Sequence, residues 1–159
     1  MKWPGNARRQ PTTFGNLKRS ELMSKIRSKG NKTTELRMVQ LLKKAGISGW
    51  RRHLPLPGKP DFTWPKEMVS VFVDGCFWHG HNCRNLSPKT NARSWCNKIE
   101  RNKQRDKRVA RKLRRLGWSV LRVWECQLSI STLQVVRKIE QTILRKQLNV
   151  EKKSGPNLD

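Results

Sequence analysis

The sequence predicts an α/β fold in which a small mixed sheet lies between helices. Two observations lead to this prediction: stretches with a helical repeat of apolar residues, and short β-branched or aromatic runs bounded by proline and glycine. Their order along the chain is helix, helix, three strands, helix, strand and helix. This order is typical of a layered fold, and 159 residues suffice for one hydrophobic core.

The first two helices are predicted from short apolar repeats. Leu22, Met23 and Ile26 indicate a short helix, and Thr34 can cap a second helix that ends at Gly46. The apolar stripe of the second helix consists of Met38, Leu41, Leu42 and Ala45.

Four extended runs supply the sheet. The runs at residues 50–54, 61–64 and 69–74 are separated by turn signals that contain proline, which indicates a meander. Residues 118–124 are rich in β-branched and aromatic side chains and predict a further strand.

A long helix is predicted between the third and fourth strands, from about residue 92 to 116, with Gly117 as its stop. Its apolar face consists of Ile99, Val109, Leu113 and Leu116. Asn102 and Asp106 share that face, where polar groups cost stability unless they form bonds. They either serve function or mark a capped or partly exposed end of the stripe.

The last helix follows the fourth strand. Ser131 and Gln134 fit a capping box, and the predicted buried stripe consists of Val136, Ile139 and Ile143. Composition then divides the chain into a flexible basic arm (1–18), a folded domain (19–148) and a polar tail (149–159).

The charge of the chain indicates a polyanionic partner. Lys and Arg number 36 against 11 Asp and Glu, which gives a formal net charge of +25. Such a chain should bind nucleic acid with a steep salt dependence, although a solvated basic surface is the alternative. There is no run of apolar residues long enough to span a membrane and no secretory signal, so we expect no membrane partner and a cytoplasmic location.

The segment 71–83 joins an apolar strand to a dense set of chemically reactive side chains. In a reducing compartment its cysteines are better read as metal ligands than as disulfides. The candidate zinc ligands are Cys76, His81 and Cys83, joined by Cys126 from the end of a neighbouring strand, and together they are enough for a closed tetrahedral site. The alternative is a buried strand followed by an aromatic-rich loop with unrelated cysteines.

Two acids flank neighbouring strands of the predicted meander. Asp61 follows a turn and Asp74 ends the next strand, so their carboxylates can meet and hold Mg²⁺. His79 could then accept a proton from an attacking water. Each of the three could instead be structural: a turn carboxylate, a strand cap or an ordinary histidine.

Aromatic and apolar side chains near these acids are candidates for contact with bases. Phe77, Trp78 and Trp95 could stack or intercalate at a weakly paired site, and Met23 with Ile26 could act as a second wedge. Trp78 and Trp95 could instead be core residues, and Met23 and Ile26, at helical spacing, could be packing residues.

Four separate motifs, in the right order and with near-matching gaps, resemble those of the very short patch repair (Vsr) DNA mismatch endonucleases. They are the segments 56–62 (LPGKPDF), 74–83 (DGCFWHGHNC), 102–106 (NKQRD) and 117–126 (GWSVLRVWEC). The resemblance covers residues 17 to 128. It implies a restriction-endonuclease-like α/β single domain with a zinc-stabilised loop.

The resemblance also implies roles for individual residues. The catalytic set would be Asp61 and Asp74 at magnesium, His79 as proton acceptor, and Glu35 and Asp106 as supporting acids. Zinc would be structural, on Cys76, His81, Cys83 and Cys126. The DNA-contacting set would be Phe77, Trp78, Trp95, Met23, Ile26 and Asn102. The best-known member has threonine and histidine where this chain has Val73 and Asp74, and the aspartate restores the paired-acid pattern of the wider fold.

The function expected is therefore magnesium-dependent nicking of one DNA strand beside the thymine of a T:G mismatch left by deamination of 5-methylcytosine. The expected partners are mismatched double-stranded DNA, a cytosine-5 DNA methyltransferase and repair proteins. We expect a monomer that is nucleoid-associated when bound to DNA in a bacterium. The alternatives are a zinc-stabilised nucleic-acid-binding protein without catalysis and a restriction-type endonuclease without mismatch preference.

Overall fold

A computed structural model describes residues 34–83 and 92–154 of the chain. The helices are α1 (Glu35–Lys44), α2 (Ala92–Arg115), α3 (Gln127–Ile130) and α4 (Thr132–Ser154). The strands are β1 (Arg51–Arg52), β2 (Phe62–Trp64), β3 (Val69–Asp74) and β4 (Ser119–Trp124). The predicted basic arm and the predicted helix around Met23 and Ile26 lie outside the described residues.

The four strands form one mixed sheet in the order β1-β2-β3-β4. The first three strands are antiparallel neighbours, as the predicted meander requires. β4 pairs with β3 in parallel, with Val69 opposite Ser119 and Asp74 opposite Trp124. A parallel partner needs a crossover connection, and α2 supplies it. The predicted fold class, α/β with a mixed sheet flanked by helices, is confirmed.

The two faces of the sheet have different neighbours because side chains alternate along a strand. One face belongs to the hydrophobic core, which includes Val71 and Val73 of β3 together with Met38 of α1 and Ile139 of α4. The opposite face carries Phe72, Asp74 and Arg122, and it meets α2. This division places Asp74 beside the inward surface of α2.

Both predicted helix stops are glycines in the left-handed region. Gly46 has φ +70° after α1, and Gly117 has φ +84° after α2. Such φ values strain other residues, so a glycine here lets the chain leave the helix at little cost. Thr34 occupies the N-cap position of α1, but its side chain makes no capping hydrogen bond.

Several predicted boundaries and buried positions were wrong in detail. β1 is shorter than the predicted run because His53 has φ +51°, which turns the backbone out of the ladder. Leu116 is 51% exposed because α2 ends one residue earlier, and Ala110 is buried on that helix instead.

The last helix also differs from its prediction. Val135, not Val136, is the buried valine near its start, while Ile139 is fully buried as expected. The helix continues to Ser154, so the first part of the predicted polar tail is helical. Within the described ranges, no helix has the length and apolar character needed to cross a bilayer.

Candidate active site and metal centre

The two acids predicted to bind a metal line the same cleft. Asp61 lies just before β2 and Asp74 ends β3, and the antiparallel pairing of these strands sets the start of one beside the end of the other. The backbone N–H of Val73 donates to Asp61 Oδ2 over 2.7 Å. Both acids line a cleft of about 740 Å³. The structure thus brings together two carboxylates that are 13 positions apart in the chain.

His79 lies between two carboxylates of this cleft. Its Nδ1 is 2.6 Å from Asp106 Oδ2, and its Nε2 is 3.5 Å from Asp74 Oδ1. Asp106 belongs to the inward surface of α2, where the sequence predicted a polar group without an obvious partner. The carboxylate of Asp106 holds the imidazole by one nitrogen and leaves the other directed toward Asp74.

Arg122 completes this group, and sequence reasoning missed it. Its Nη1 contacts Asp74 Oδ2 and lies 3.0 Å from Asp106 Oδ2, and its guanidinium lies 5.1 Å from the centre of the Phe72 ring. One signal could have found it. An arginine in the middle of a strand rich in β-branched and aromatic side chains needs an acidic partner if it is buried, and Asp74 ends the strand beside it.

Burial raises the pKa of both acids. Desolvation is the main cause at Asp61, whose pKa rises from 3.8 to about 6, and the negative charges of Glu35 and Asp74 add to it. Desolvation also raises the pKa of Asp74, while the neighbouring His79 and Arg122 oppose the rise. A cleft that disfavours its own negative charges in this way favours the arrival of a cation.

Glu35 lies on the other side of Asp61. It is only 3% exposed and pairs with Arg52, and its Oε2 is 3.3 Å from His53 Nε2. Ligand atoms of Glu35, His53 and Asp61 all lie within 4.8 Å of one another. The sequence did not predict Arg52 and His53 as site residues, although a buried acid needs partners of this kind.

The four predicted zinc ligands meet at one place. Ligand atoms of Cys76, His81, Cys83 and Cys126 all lie within 4.8 Å of one another. His81 Nδ1 is 3.6 Å from the Cys126 sulfur, and the His81 ring stacks on Trp124 with ring centres 4.4 Å apart. Three of the ligands follow β3 and the fourth follows β4, so the parallel pairing of these strands assembles the group.

The chemistry of this group fits a soft cation. Burial and the nearby Cys83 and Cys126 thiols raise the pKa of Cys76 to about 12. Three cysteines this close cannot all be thiolates unless a positive charge joins them. Three sulfurs and one imidazole are a donor set typical of closed, structural zinc sites in proteins.

The predicted stacking residues form one aromatic cluster. The ring centres of Phe77, Trp78 and Trp95 lie 5.3 to 5.7 Å apart in edge-to-face contacts. All three are half-buried, and the Lys98 ammonium lies over both tryptophans. Asn102 Nδ2 donates to the Trp78 carbonyl over 2.8 Å, so α2 holds the loop that carries two of the rings.

The remaining predicted residues divide into two groups. Met23 and Ile26 lie outside the described residues. The basic face of α2, by contrast, borders a second cleft of about 450 Å³ that also includes His79 and Arg122. Its basic residues are Lys103, Lys107, Arg111 and Arg114. A positive groove that reaches the histidine suits the backbone of a nucleic acid.

A known protein family matches the chain. The family described as DNA mismatch endonuclease Vsr matches residues 12–85. The type II nicking enzyme V.XorIIP of Xanthomonas oryzae pv. oryzae is 42% identical over 113 residues, which are 70% of this chain and 82% of that protein. The type II nicking enzyme V.NmeDIP of Neisseria meningitidis is 37% identical over 131 residues, 81% of this chain and 88% of that protein.

Two further similarities are more limited. The DNA mismatch endonuclease Vsr of Escherichia coli is 41% identical over 95 residues, 59% of this chain and 61% of that protein. Among solved structures, the catalytic domain of the homing endonuclease I-Bth0305I has a TM-score of 0.47 at 20% identity, and the match covers 70% of this chain and 94% of that domain.

Fold, cleft and sequence similarity together define a DNA endonuclease, a DNA-nicking hydrolase. The chain belongs to the Vsr DNA mismatch endonuclease family. The family predicted from the four motifs is therefore confirmed.

Proposed function

We propose that this protein nicks one DNA strand next to the thymine of a T:G mismatch and so initiates very short patch repair. Magnesium is the proposed cofactor, and deamination of 5-methylcytosine is the proposed origin of the mismatch. The observation that carries the proposal is the cleft in which Asp61, Asp74, His79 and Asp106 meet, in a chain of the Vsr family. The net charge of +25 supports a DNA substrate.

Asp61 and Asp74 would hold the magnesium ion. Their oxygens are hard ligands, and both face an open cleft with room for water and phosphate oxygens. The raised pKa of each acid supports this role, because a bound cation offsets the cost of burying their charges. When bound, the ion would polarise the scissile phosphate and stabilise the charge on the leaving oxygen.

His79 would be the general base. A water oxygen attacks phosphorus, the proton of that water passes to the imidazole, and the bond from phosphorus to the leaving oxygen breaks while that oxygen takes a proton from solvent. Asp106, 2.6 Å from Nδ1, holds the ring and stabilises the imidazolium that forms. Glu35 would support Asp61 from the buried side of the cleft.

Zinc would hold the segment 75–83, which follows β3, in place. Its ligands would be Cys76, His81, Cys83 and Cys126, a closed set that leaves no open position for catalysis. This loop also carries Phe77 and Trp78, so a bound zinc ion would keep the aromatic cluster rigid.

The aromatic cluster would enter the duplex. Phe77, Trp78 and Trp95 would insert beside the mismatch, with Met23 and Ile26 pressing from the other groove and Asn102 contributing to the interface. Unstacking a base step costs a few kcal/mol, and the cost is smallest at a weakly paired site, which gives a physical reason for mismatch preference. The proposed partners in the cell are a cytosine-5 DNA methyltransferase and repair proteins, and the proposed active form is a monomer.

The test compares two labelled duplexes that differ by one base. With magnesium and zinc-loaded protein, we expect a single nick beside the thymine of the T:G duplex, while the matched T:A duplex stays largely whole. Asp61→Ala should abolish the nick. Equal cutting of both duplexes would instead indicate a restriction-type endonuclease, and binding without any product would indicate a nucleic-acid-binding protein without catalysis.

A further inference from the structure

Arg122, like His79, is in direct contact with both Asp74 and Asp106. Its Nη1 contacts Asp74 and lies 3.0 Å from Asp106, and the side chain is 21% exposed. It borders both clefts, the one that contains Asp61 and the one along the basic face of α2. No other arginine or lysine of the described residues borders both.

The guanidinium has hydrogen-bonding capacity left over. In the described part of the chain, Nη1 is the Arg122 atom seen in contact with protein oxygens. Arginine has five N–H donors in a planar fork, so donors on Nε and Nη2 remain for an acceptor from outside. The two carboxylates and the Phe72 ring fix the direction in which that fork points.

The acids of the cleft explain why a guanidinium would be needed there. Asp61, Asp74 and Asp106 all line the cleft into which a phosphodiester must move, and phosphate is itself an anion. A fixed positive charge among these acids lowers the repulsion. A guanidinium can supply that charge, and its planar fork of donors matches the geometry of a phosphate group.

We propose that Arg122 is a catalytic residue that donates hydrogen bonds to a non-bridging oxygen of the scissile phosphate. This proposal rests on the proposed nicking function of the cleft. As water attacks phosphorus, negative charge develops on the oxygens of the phosphate. A donor that already points at a non-bridging oxygen stabilises this charge in the transition state. The carboxylates of Asp74 and Asp106 act as the supports that orient the fork.

The test is a double-mutant cycle between protein and DNA. The linkage that the wild-type protein nicks is mapped first, and the same duplex is then prepared with a neutral methylphosphonate at that linkage. Dissociation constants of both duplexes are measured for zinc-loaded protein in magnesium-free buffer. The quantity of interest is the dissociation constant for the neutral duplex divided by that for the natural one.

Arg122→Gln should lower this ratio about tenfold, because a charge-assisted hydrogen bond to the linkage is lost. Arg137→Gln removes an exposed arginine of α4 that borders neither cleft, and it should keep the wild-type ratio. An unchanged ratio in folded Arg122→Gln overturns the proposal. If the wild-type protein nicks no duplex at all, both the proposed function and this proposal fail. If it nicks a duplex other than the T:G duplex, the same ratio is measured on that duplex, and an unchanged ratio there overturns this proposal.

Arg122→Lys serves as the second variant, because it retains the charge that balances the two acids and so protects folding. With saturating protein, its single-turnover nicking rate should fall about 100-fold, since an ammonium lacks the planar fork. Its melting temperature should stay close to that of the wild type. A wild-type nicking rate in this folded variant would also overturn the proposal.

Discussion

Removing the charge of Asp61 should stabilise the folded protein. Asp61→Asn keeps an acceptor for the Val73 N–H but cannot ionise. Burial raises the pKa of Asp61 from 3.8, the ordinary value for an aspartate, to about 6 in the folded protein. A raised folded pKa means that folding favours the protonated acid. Ionised Asp61 therefore lowers the free energy of unfolding. This loss of stability is absent below pH 3.8, grows between pH 3.8 and pH 6, and is constant above pH 6.

The magnitude follows from the size of the shift. A difference of about 2 pKa units corresponds to about 3 kcal/mol above pH 6 and to about half of that at pH 5. Urea unfolding of zinc-loaded, magnesium-free protein at both pH values measures it. We expect Asp61→Asn to raise the free energy of unfolding by up to about 3 kcal/mol at pH 8, less at pH 5, and to abolish nicking.

The matched control is Glu100→Gln, which neutralises an exposed acid on α2. It should change the free energy of unfolding by less than about 0.5 kcal/mol at either pH. An Asp61→Asn protein no more stable than the wild type at pH 8, or one whose gain does not shrink at pH 5, would refute the reasoning from burial. Magnesium should also raise the melting temperature of the wild type but not that of the variant.

Three further predictions concern the neighbouring groups. Asp106→Asn should slow single-turnover nicking by about 100-fold or more, because the imidazole of His79 loses the carboxylate that holds its Nδ1; a rate within threefold of the wild type would contradict this. Cys126→Ser should lower zinc content, measured by mass spectrometry, and lower the melting temperature, whereas unchanged zinc stoichiometry would remove it from the ligand set. Asn102→Ala should cost about 1 kcal/mol of stability through the lost hydrogen bond to the Trp78 carbonyl and should weaken mismatch preference, which nicking of T:G against T:A duplexes measures.

The candidate site residues could be predicted from the sequence because they occur at strand ends and within short motifs. Asp74 ends a run of buried residues, and Cys76, His81 and Cys83 follow within nine positions. The strand pattern predicted the antiparallel meander, and antiparallel pairing brings the start of β2 beside the end of β3. This is why the meeting of Asp61 and Asp74 in one cleft could be anticipated.

Partners of buried charges were much harder to anticipate. Arg122 lies 48 positions from Asp74, and only the parallel register of β3 and β4 brings them together. His53 faces Glu35 because its backbone turns out of the β1 ladder, which no periodicity predicts. Small errors of helix phase, such as Val136 for Val135, arose because neighbouring valines satisfy the same apolar pattern.

Local pattern alone predicted the order of the elements, and four short motifs predicted the family, because each motif depends on residues close together in the chain. The same motifs supplied the candidate acids, the candidate base and the candidate soft ligands. Tertiary structure decided how these groups share their charges. It set Asp106 against one nitrogen of His79, Arg122 against Asp74, and Glu35 against Arg52 and His53. The physical reason is that a buried charge must find its counter-charge in space, and the position of that partner depends on strand register and helix packing.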